Sequence, residues 1–173
     1  SNLRLSSEKN YDIPEIDEMS ESFYNLFKKY QIVIIDCPPG VNYLSKLGLI
    51  MANYLIMPFI PEPYNYDGII EALKTKNRHK KYMSRFKDFL IVISDHEQRK
   101  VTVQEEYVTK IKGDVKEHVI ANSIPHFVGI KERGDSGTSI FNMFTEKDNS
   151  LSKIKTILDE LNNHINEKRN FEL

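Results

Sequence analysis

Asp36 is the residue whose type and position point most clearly to chemistry. It directly follows the apolar run Ile32–Ile35 and precedes the Cys-Pro-Pro-Gly segment Cys37–Gly40. A carboxylate next to a buried apolar run is costly unless it is solvated or paired, and carboxylates together with water are the usual ligands of Mg²⁺. Two interpretations follow: a metal-associated acid at the carboxyl end of a strand, or an Asp that caps the next helix.

Two other segments have the composition of loops at strand ends, namely residues 58–62, which are rich in proline, and residues 95–99. Ligands of parallel α/β sheets bind beyond the carboxyl ends of the strands, so these segments are candidate site positions together with residues 36–40. The histidines show no metal-ligand spacing, and no Ser/His/Asp set can be assigned. Cys37 is the only cysteine, which excludes an internal disulfide framework and a Cys-rich metal centre within one chain.

Hydrophobic periodicity predicts strands that alternate with helices. Strands are predicted at residues 32–35, 54–57, 89–93 and 119–120, and helices at 16–30, 41–52, 66–85, 102–113 and 149–165. Runs of consecutive apolar residues are typical of strands buried on both faces of a parallel sheet. The predicted fold is therefore α/β, with a mostly parallel sheet and helices on both faces.

Length and charge limit the function classes. With 173 residues and 20.2 kDa, residues 1–173 are expected to form a single domain, with looser packing at residues 1–14 and 167–173. The 24 Lys and Arg against 25 Asp and Glu give a net charge of -1, so no global positive field attracts nucleic acid. No apolar run reaches about 20 residues, and we expect no membrane span.

One segment is locally basic, because seven Lys and Arg residues lie between positions 74 and 87 with no acidic residue among them. Four of these residues are spaced to share one face of the predicted helix: Lys74, Arg78, Lys81 and Arg85. Such a stripe can contact DNA phosphates, and it is equally the pattern of a solvated helix face. Both interpretations stay open on the sequence alone.

The segment Gln31–Gly40 resembles the signature strand of the ParA/MinD group of deviant Walker-A P-loop ATPases. The resemblance continues in order: Ala52–Pro58 is similar to the next strand of the family, Ser94–Arg99 to a turn that ends in Arg near the nucleotide, and Ile124–Val128 to an Ile-Pro stretch. It covers most of residues 20–165. It implies a P-loop NTPase-like fold with ATP and Mg²⁺ as the ligands of the complete protein.

By position, the resemblance also implies roles for individual residues. Asp36 would hold Mg²⁺ through a water molecule. The switch loop would consist of Pro38, Pro39 and Gly40, and the nucleotide would be bound by Arg99, Ile124, Pro125 and His126. Family members hydrolyse ATP, form homodimers, bind nonspecific DNA and work with a ParB-like centromere-binding protein, so the resemblance implies a cytoplasmic, nucleoid-associated partition ATPase for a plasmid or chromosome.

The family's phosphate loop, Lys-Gly-Gly-x-Gly-Lys-Ser/Thr, is not present, because the chain contains no Gly-Lys dipeptide. That loop supplies the backbone N–H groups and the lysine that bind phosphates. The chain thus resembles the C-terminal part of such an ATPase, and alone we expect it neither to hydrolyse ATP nor to bind it tightly. The alternative is a decayed ParA-like interaction module; a reductase of the nitrogenase iron-protein type is disfavoured because it needs cluster cysteines.

Overall fold

A computed structural model describes residues 21–38, 40, 42–96, 102–126 and 149–170. Its helices and strands, in chain order, are α1 (residues 21–27), α2 (Tyr43–Met51), β1 (Tyr54–Phe59), α3 (Pro63–His79), β2 (Asp88–Ile93), α4 (Thr102–Val115) and α5 (Asn149–Asn170). Short 3-10 turns follow α3 and α4. Backbone contacts group the chain into two units, residues 1–53 with 71–86 and residues 54–70 with 87–173.

The second unit contains a parallel sheet. β1 pairs with β2 in register from Tyr54 opposite Asp88 to Phe59 opposite Ile93. All six residues of β2 are buried, as the apolar run predicted for a strand covered on both faces. Residues 119–126 continue the parallel arrangement beside β2 through two isolated bridges, Ile91 with Val119 and His96 with Pro125. The predicted α/β fold with a parallel sheet is confirmed, although the strand predicted at 119–120 amounts to a single bridge.

The core of this unit lies between β2 and the last helix. Leu90 and Val92 of β2 pack with Ile120 and with Ile157 of α5, and Ile124 and Leu161 lie partly buried against this cluster. The spacing of the two α5 residues, four apart, places both on the same face of the helix. The regular apolar stripe of the sequence therefore serves to dock α5 on the sheet.

The prediction of a buried strand at residues 32–35 is wrong. This segment is neither helical nor paired in a ladder, and its outward side chains are almost bare, with Ile32 at 82% and Ile34 at 90% exposure. An apolar run becomes a buried strand only if a neighbouring strand pairs with its backbone. No described residue supplies such a partner.

Two predicted helix ends also differ from the structure. Helix α3 ends at His79 rather than near Arg85 and continues as a 3-10 turn, Lys80–Tyr82. Its apolar face fades after Leu73, so little packing holds the following residues in a helix. Helix α4 passes through Gly113 and ends at Val115, because a single exposed glycine lowers helix stability by only about 1 kcal/mol.

Candidate functional site

The loop that follows Asp36 is fixed to the start of α2 by polar contacts. Gly40 has a φ of +88°, a conformation that glycine adopts without the steric cost of a Cβ. The Ser45 hydroxyl lies 2.7 Å from the Gly40 carbonyl oxygen and 2.9 Å from the Asn42 backbone nitrogen. The Ser45 N–H in turn donates to Asn42 Oδ1 at 3.0 Å, so a capping box holds the end of the loop.

Asn42 is therefore the N-cap of α2, and the interpretation of Asp36 as the helix cap is wrong. Asn42 and Ser45 are not among the residues predicted from the sequence, although an Asn three residues before a Ser at the start of an apolar period is a recognisable helix-start signal. The Asp36 side chain is left exposed. An exposed carboxylate can take a hydrated Mg²⁺ without loss of its own solvation, so this residue fits the metal that the resemblance implies.

Cys37 packs tightly against α2. An ideal Cβ built on Gly48 would lie 2.5 Å from Cys37 Sγ, so a larger residue at position 48 requires the exposed Cys37 side chain to move. Burial raises the pKa of the Cys37 thiol, and the neighbouring Asp36 carboxylate raises it further. The thiol is thus held in its neutral form, which suits packing rather than nucleophilic chemistry.

The carboxyl end of β2, in the second unit, gathers several polar side chains. Asp95 has a positive φ of 55°, and its carboxylate lies 2.5 Å from Nδ1 of His126. His96 Nδ1 lies 3.2 Å from the Ser123 hydroxyl, and its Nε2 lies 3.5 Å from the Glu105 carboxylate. The structure thus brings residues of the predicted loop at 95–99 together with residues of the predicted stretch at 124–126.

The residues assigned to the nucleotide have different environments. Ile124 is half-buried against the core, and its N–H donates to the Ile93 carbonyl at 2.8 Å. Pro125 bridges to His96, while His126 is exposed beside Asp95. These three follow one another at the end of the sheet where ligands of this fold class bind. Arg99 and Pro39 lie outside the described residues.

A second polar cluster, not predicted from the sequence, lies at the amino end of β2. Asp88 is buried, with its carboxylate 3.1 Å from His118 Nδ1 and 2.9 Å from His164 Nε2. The Phe89 N–H donates to the same carboxylate at 2.8 Å. Long-range pairing of this kind, across 76 residues in the case of His164, leaves no local sequence signal.

The basic segment does not form one continuous helical stripe. Lys74 and Arg78 lie on α3, where Arg78 pairs with Glu71 at 3.1 Å. Lys81 lies in the 3-10 turn with its ammonium 4.7 Å from the Tyr82 ring centre. Arg85 lies beyond both elements, 3.1 Å from Glu21 and stacked over Tyr24. The DNA-binding role of these residues stays a prediction.

Among the described residues, no helix is long and apolar enough to span a bilayer. In the same part of the chain, no group of three or more His, Cys, Asp or Glu side chains is arranged to hold a metal ion.

Comparison with known proteins finds a matching family model and several similar proteins. A family model described as an AAA domain matches residues 3–89, half of the chain. A ParA family protein of Mycoplasma genitalium is 26% identical over 85 residues, which are 49% of this chain and 30% of that protein. A ParA family protein of Mycoplasma pneumoniae is 20% identical over 119 residues, which are 69% of this chain and 43% of that protein.

A chromosome partitioning protein ParA of Myxococcus xanthus is 24% identical over 118 residues, covering 66% of this chain and 41% of its own length. The chain therefore spans less than half the length of the curated relatives it matches. Among solved structures, a similar one is cobyrinic acid a,c-diamide synthase from Mycobacterium smegmatis, with an ATP analog and magnesium bound. The TM-score is 0.55 and the sequence identity 20%, over 74% of this chain and 57% of the synthase. At that identity the likeness shows a shared P-loop NTPase-like fold.

Proposed function

We propose, from the premise that this chain belongs to the family of AAA-domain ATPases of ParA/MinD type, that it is part of a nucleotide-dependent partition ATPase. The observation that carries the proposal is the geometry after Asp36. An exposed carboxylate is followed by a loop whose end, at Gly40, is tied to the start of α2 through Ser45 and Asn42. A similar structure with an ATP analog and magnesium bound supports the choice of ligand.

In this proposal Asp36 accepts hydrogen bonds from water bound to Mg²⁺, and Pro38, Pro39 and Gly40 form the loop that detects the nucleotide state. The bound Mg²⁺ would neutralise phosphate charge during transfer. The left-handed Gly40 and its hydrogen bond to Ser45 give the loop a defined resting position. A change in the phosphates can then move the loop relative to α2 in a reproducible way.

The proposed contacts of the nucleoside are Arg99, Ile124, Pro125 and His126. Ile124 and Pro125 offer half-buried apolar surface and a fixed backbone. His126 is held by Asp95, so its ring orientation is defined. Such a pocket binds the base by packing and backbone groups and leaves phosphate binding to another segment.

That other segment is the phosphate loop, whose motif is not present in the 173-residue sequence. We therefore propose that the chain alone does not hydrolyse ATP. The activity would belong to a protein that also supplies the loop. The second candidate is a decayed ParA-like interaction module that binds no nucleotide.

The decisive experiment is to determine the complete reading frame that encodes Ser1–Leu173 and to assay its product for Mg²⁺-dependent phosphate release. Under the ATPase proposal, the product contains Lys-Gly-Gly-x-Gly-Lys-Ser/Thr, and Asp36→Ala lowers its turnover by about 100-fold or more. Asp67→Ala, an exposed carboxylate on α3, is the matched control and should leave turnover unchanged. A product without the motif, with no phosphate release above the buffer blank, would favour the interaction module.

The cellular role follows the family and is proposed with it. The partners would be a ParB-like centromere-binding protein, nonspecific DNA and a second copy in the ATP-bound state. The protein would act in the cytoplasm at the nucleoid. Relatives named ParA and chromosome partitioning protein support this role.

A further inference from the structure

The chain that runs beside β2 carries more residues than a regular parallel ladder needs. The Ile120 N–H donates to the Ile91 carbonyl at 2.9 Å. The next bond to a β2 carbonyl runs from the Ile124 N–H to Ile93 at 2.8 Å. In a parallel ladder the bonds are evenly spaced, so donors and acceptors both advance by about two residues. Here the acceptors are two residues apart and the donors four, so residues 121–123, the register turn, project from the ladder.

A carboxylate of α5 holds the register turn. Glu160 Oε2 accepts the Ala121 N–H at 3.1 Å and the Asn122 N–H at 3.4 Å, and the Asn122 side-chain amide donates to Oε1. One turn earlier on the helix, the buried Ile157 packs in the core and fixes the position of the carboxylate. Hydrogen bonds to an ionised acceptor are stronger than neutral ones. Glu160 therefore engages the Asn122 N–H, the group that a regular ladder would direct to the Ile93 carbonyl.

We propose that Glu160 is a positioning residue for the proposed nucleoside contacts at 124–126, because it determines their register against β2. If the Asn122 N–H bonded to the Ile93 carbonyl instead, residues 124–126 would move along the sheet by two residues. At a rise of about 3.3 Å per residue, this displacement is about 6.6 Å, which removes them from the place where the nucleoside is proposed to bind. The inference rests on the proposed function, since it needs a nucleoside at residues 124–126.

A second polar contact of α5 separates positioning from a purely structural role. His164 Nε2, one turn beyond Glu160, lies 2.9 Å from the Asp88 carboxylate at the amino end of β2. Both contacts join the same helix to the rest of the fold, but only Glu160 contacts the register turn. If α5 merely stabilises the fold, the loss of either contact should affect nucleotide binding alike. If Glu160 determines the register, only its loss should do so.

The test is the steady-state kinetics of Mg²⁺-dependent phosphate release by the protein that contains the phosphate loop. Glu160→Gln keeps the shape of the side chain but replaces one acceptor oxygen by an amide donor. We expect KM for ATP to rise by about tenfold or more, because a displaced binding group loses its contact. The value of kcat should stay within about twofold, because the nucleoside contact is made equally in the ground state and the transition state. Asp159→Asn, an exposed carboxylate on the same helix, makes the same charge change and should leave both constants unchanged.

Asp88→Asn is the structural control and should leave KM unchanged at a temperature where circular dichroism shows all variants folded. An unchanged KM in Glu160→Gln, or an equal rise in Asp88→Asn, would overturn the inference. If Glu160→Gln does not fold, Asn122→Ala replaces it. That variant removes one of the three hydrogen bonds and should raise KM by about threefold, and an unchanged KM would again overturn the inference. Absence of turnover in the unsubstituted protein would contradict the proposed function itself, whereas normal turnover with an unchanged KM contradicts this inference alone.

Discussion

Gly48 and Cys37 constrain each other at the scale of single residues. A methyl group at position 48 would lie 2.5 Å from Cys37 Sγ, whereas helix propensity alone favours Ala over Gly by about 1 kcal/mol. We therefore expect Gly48→Ala to destabilise the protein, because overpacking typically costs about 1 to 3 kcal/mol. In a Cys37→Ala background the contact disappears, and the same substitution should become stabilising.

Urea unfolding of the four proteins of this double-mutant cycle measures the coupling between the two sites. A Gly48→Ala effect of the same sign and size in both backgrounds would contradict the packing described here. This constraint could not be predicted from the sequence, because a glycine within an apolar helix is locally unfavourable. The reason for Gly48 is visible only in the structure, where Cys37 lies beside it.

Tyr66 provides a pH-dependent contribution to stability. A hydrogen bond to Asp114, 2.5 Å long, is the main cause that raises the pKa of Tyr66 to about 12. Since the ordinary value is about 10, the folded state favours the protonated phenol. The stabilisation is therefore complete below about pH 10 and is lost as the pH rises toward 12.

We expect the difference in unfolding free energy between the wild type and Tyr66→Phe to shrink from pH 9 to pH 12, as followed by urea unfolding. The absorbance at 295 nm should show one tyrosine that ionises late in the wild type and not in the variant. Tyr64→Phe, at the exposed neighbour on the same helix, is the control and should leave both observations unchanged. A constant free-energy difference over this range would contradict the assignment.

At the scale of elements, the sequence predicted those helices and strands whose cause is local. β2 is an apolar run bounded by charged Asp88 and polar Ser94, and α5 has an uninterrupted apolar stripe. Residues 32–35 are just as apolar and are equally predicted to be a strand, yet no strand among the described residues pairs with them. Strand pairing is a contact between distant parts of a chain, so a local pattern predicts the capacity for a strand and not its partner.

Asp88 contacts α5 through His164, in addition to the apolar packing of that helix. The buried carboxylate lies within 3.1 Å of His118 and 2.9 Å of His164 and accepts the Phe89 N–H. Asp88→Asn keeps the shape but removes the charge and one acceptor, so we expect a loss of about 2 to 3 kcal/mol in the free energy of unfolding.

Urea unfolding measures the loss, and hydrogen exchange along α5 should show faster opening near His164. Asp159→Asn, an exposed carboxylate on the same helix, should lie within about 0.5 kcal/mol of the wild type. Equal stabilities for the two variants would mean that apolar contacts alone hold the helix.

At the scale of the whole molecule, a net charge of -1 means that DNA attraction has to come from a local surface. The candidate is the segment with Lys74, Arg78, Lys81 and Arg85. The structure divides it, because Arg78 and Arg85 are paired with Glu71 and Glu21, whereas Lys74 and Lys81 are exposed. The two lysines should therefore contribute more to phosphate contacts than the two arginines.

We expect Lys74→Glu with Lys81→Glu to weaken binding to nonspecific duplex DNA more than Arg78→Glu with Arg85→Glu. If both lysines contact phosphates, the lysine pair should also reduce the slope of log affinity against log salt by about 1.8, because each phosphate contact contributes about 0.9. Fluorescence anisotropy over a salt series, with the protein that contains the phosphate loop and saturating ATP, measures both quantities. Lys153→Glu with Lys155→Glu on α5 is the control, because it makes the same change in net charge at another surface. An equal loss of DNA affinity from this control pair would show that overall charge governs binding, and not the basic segment.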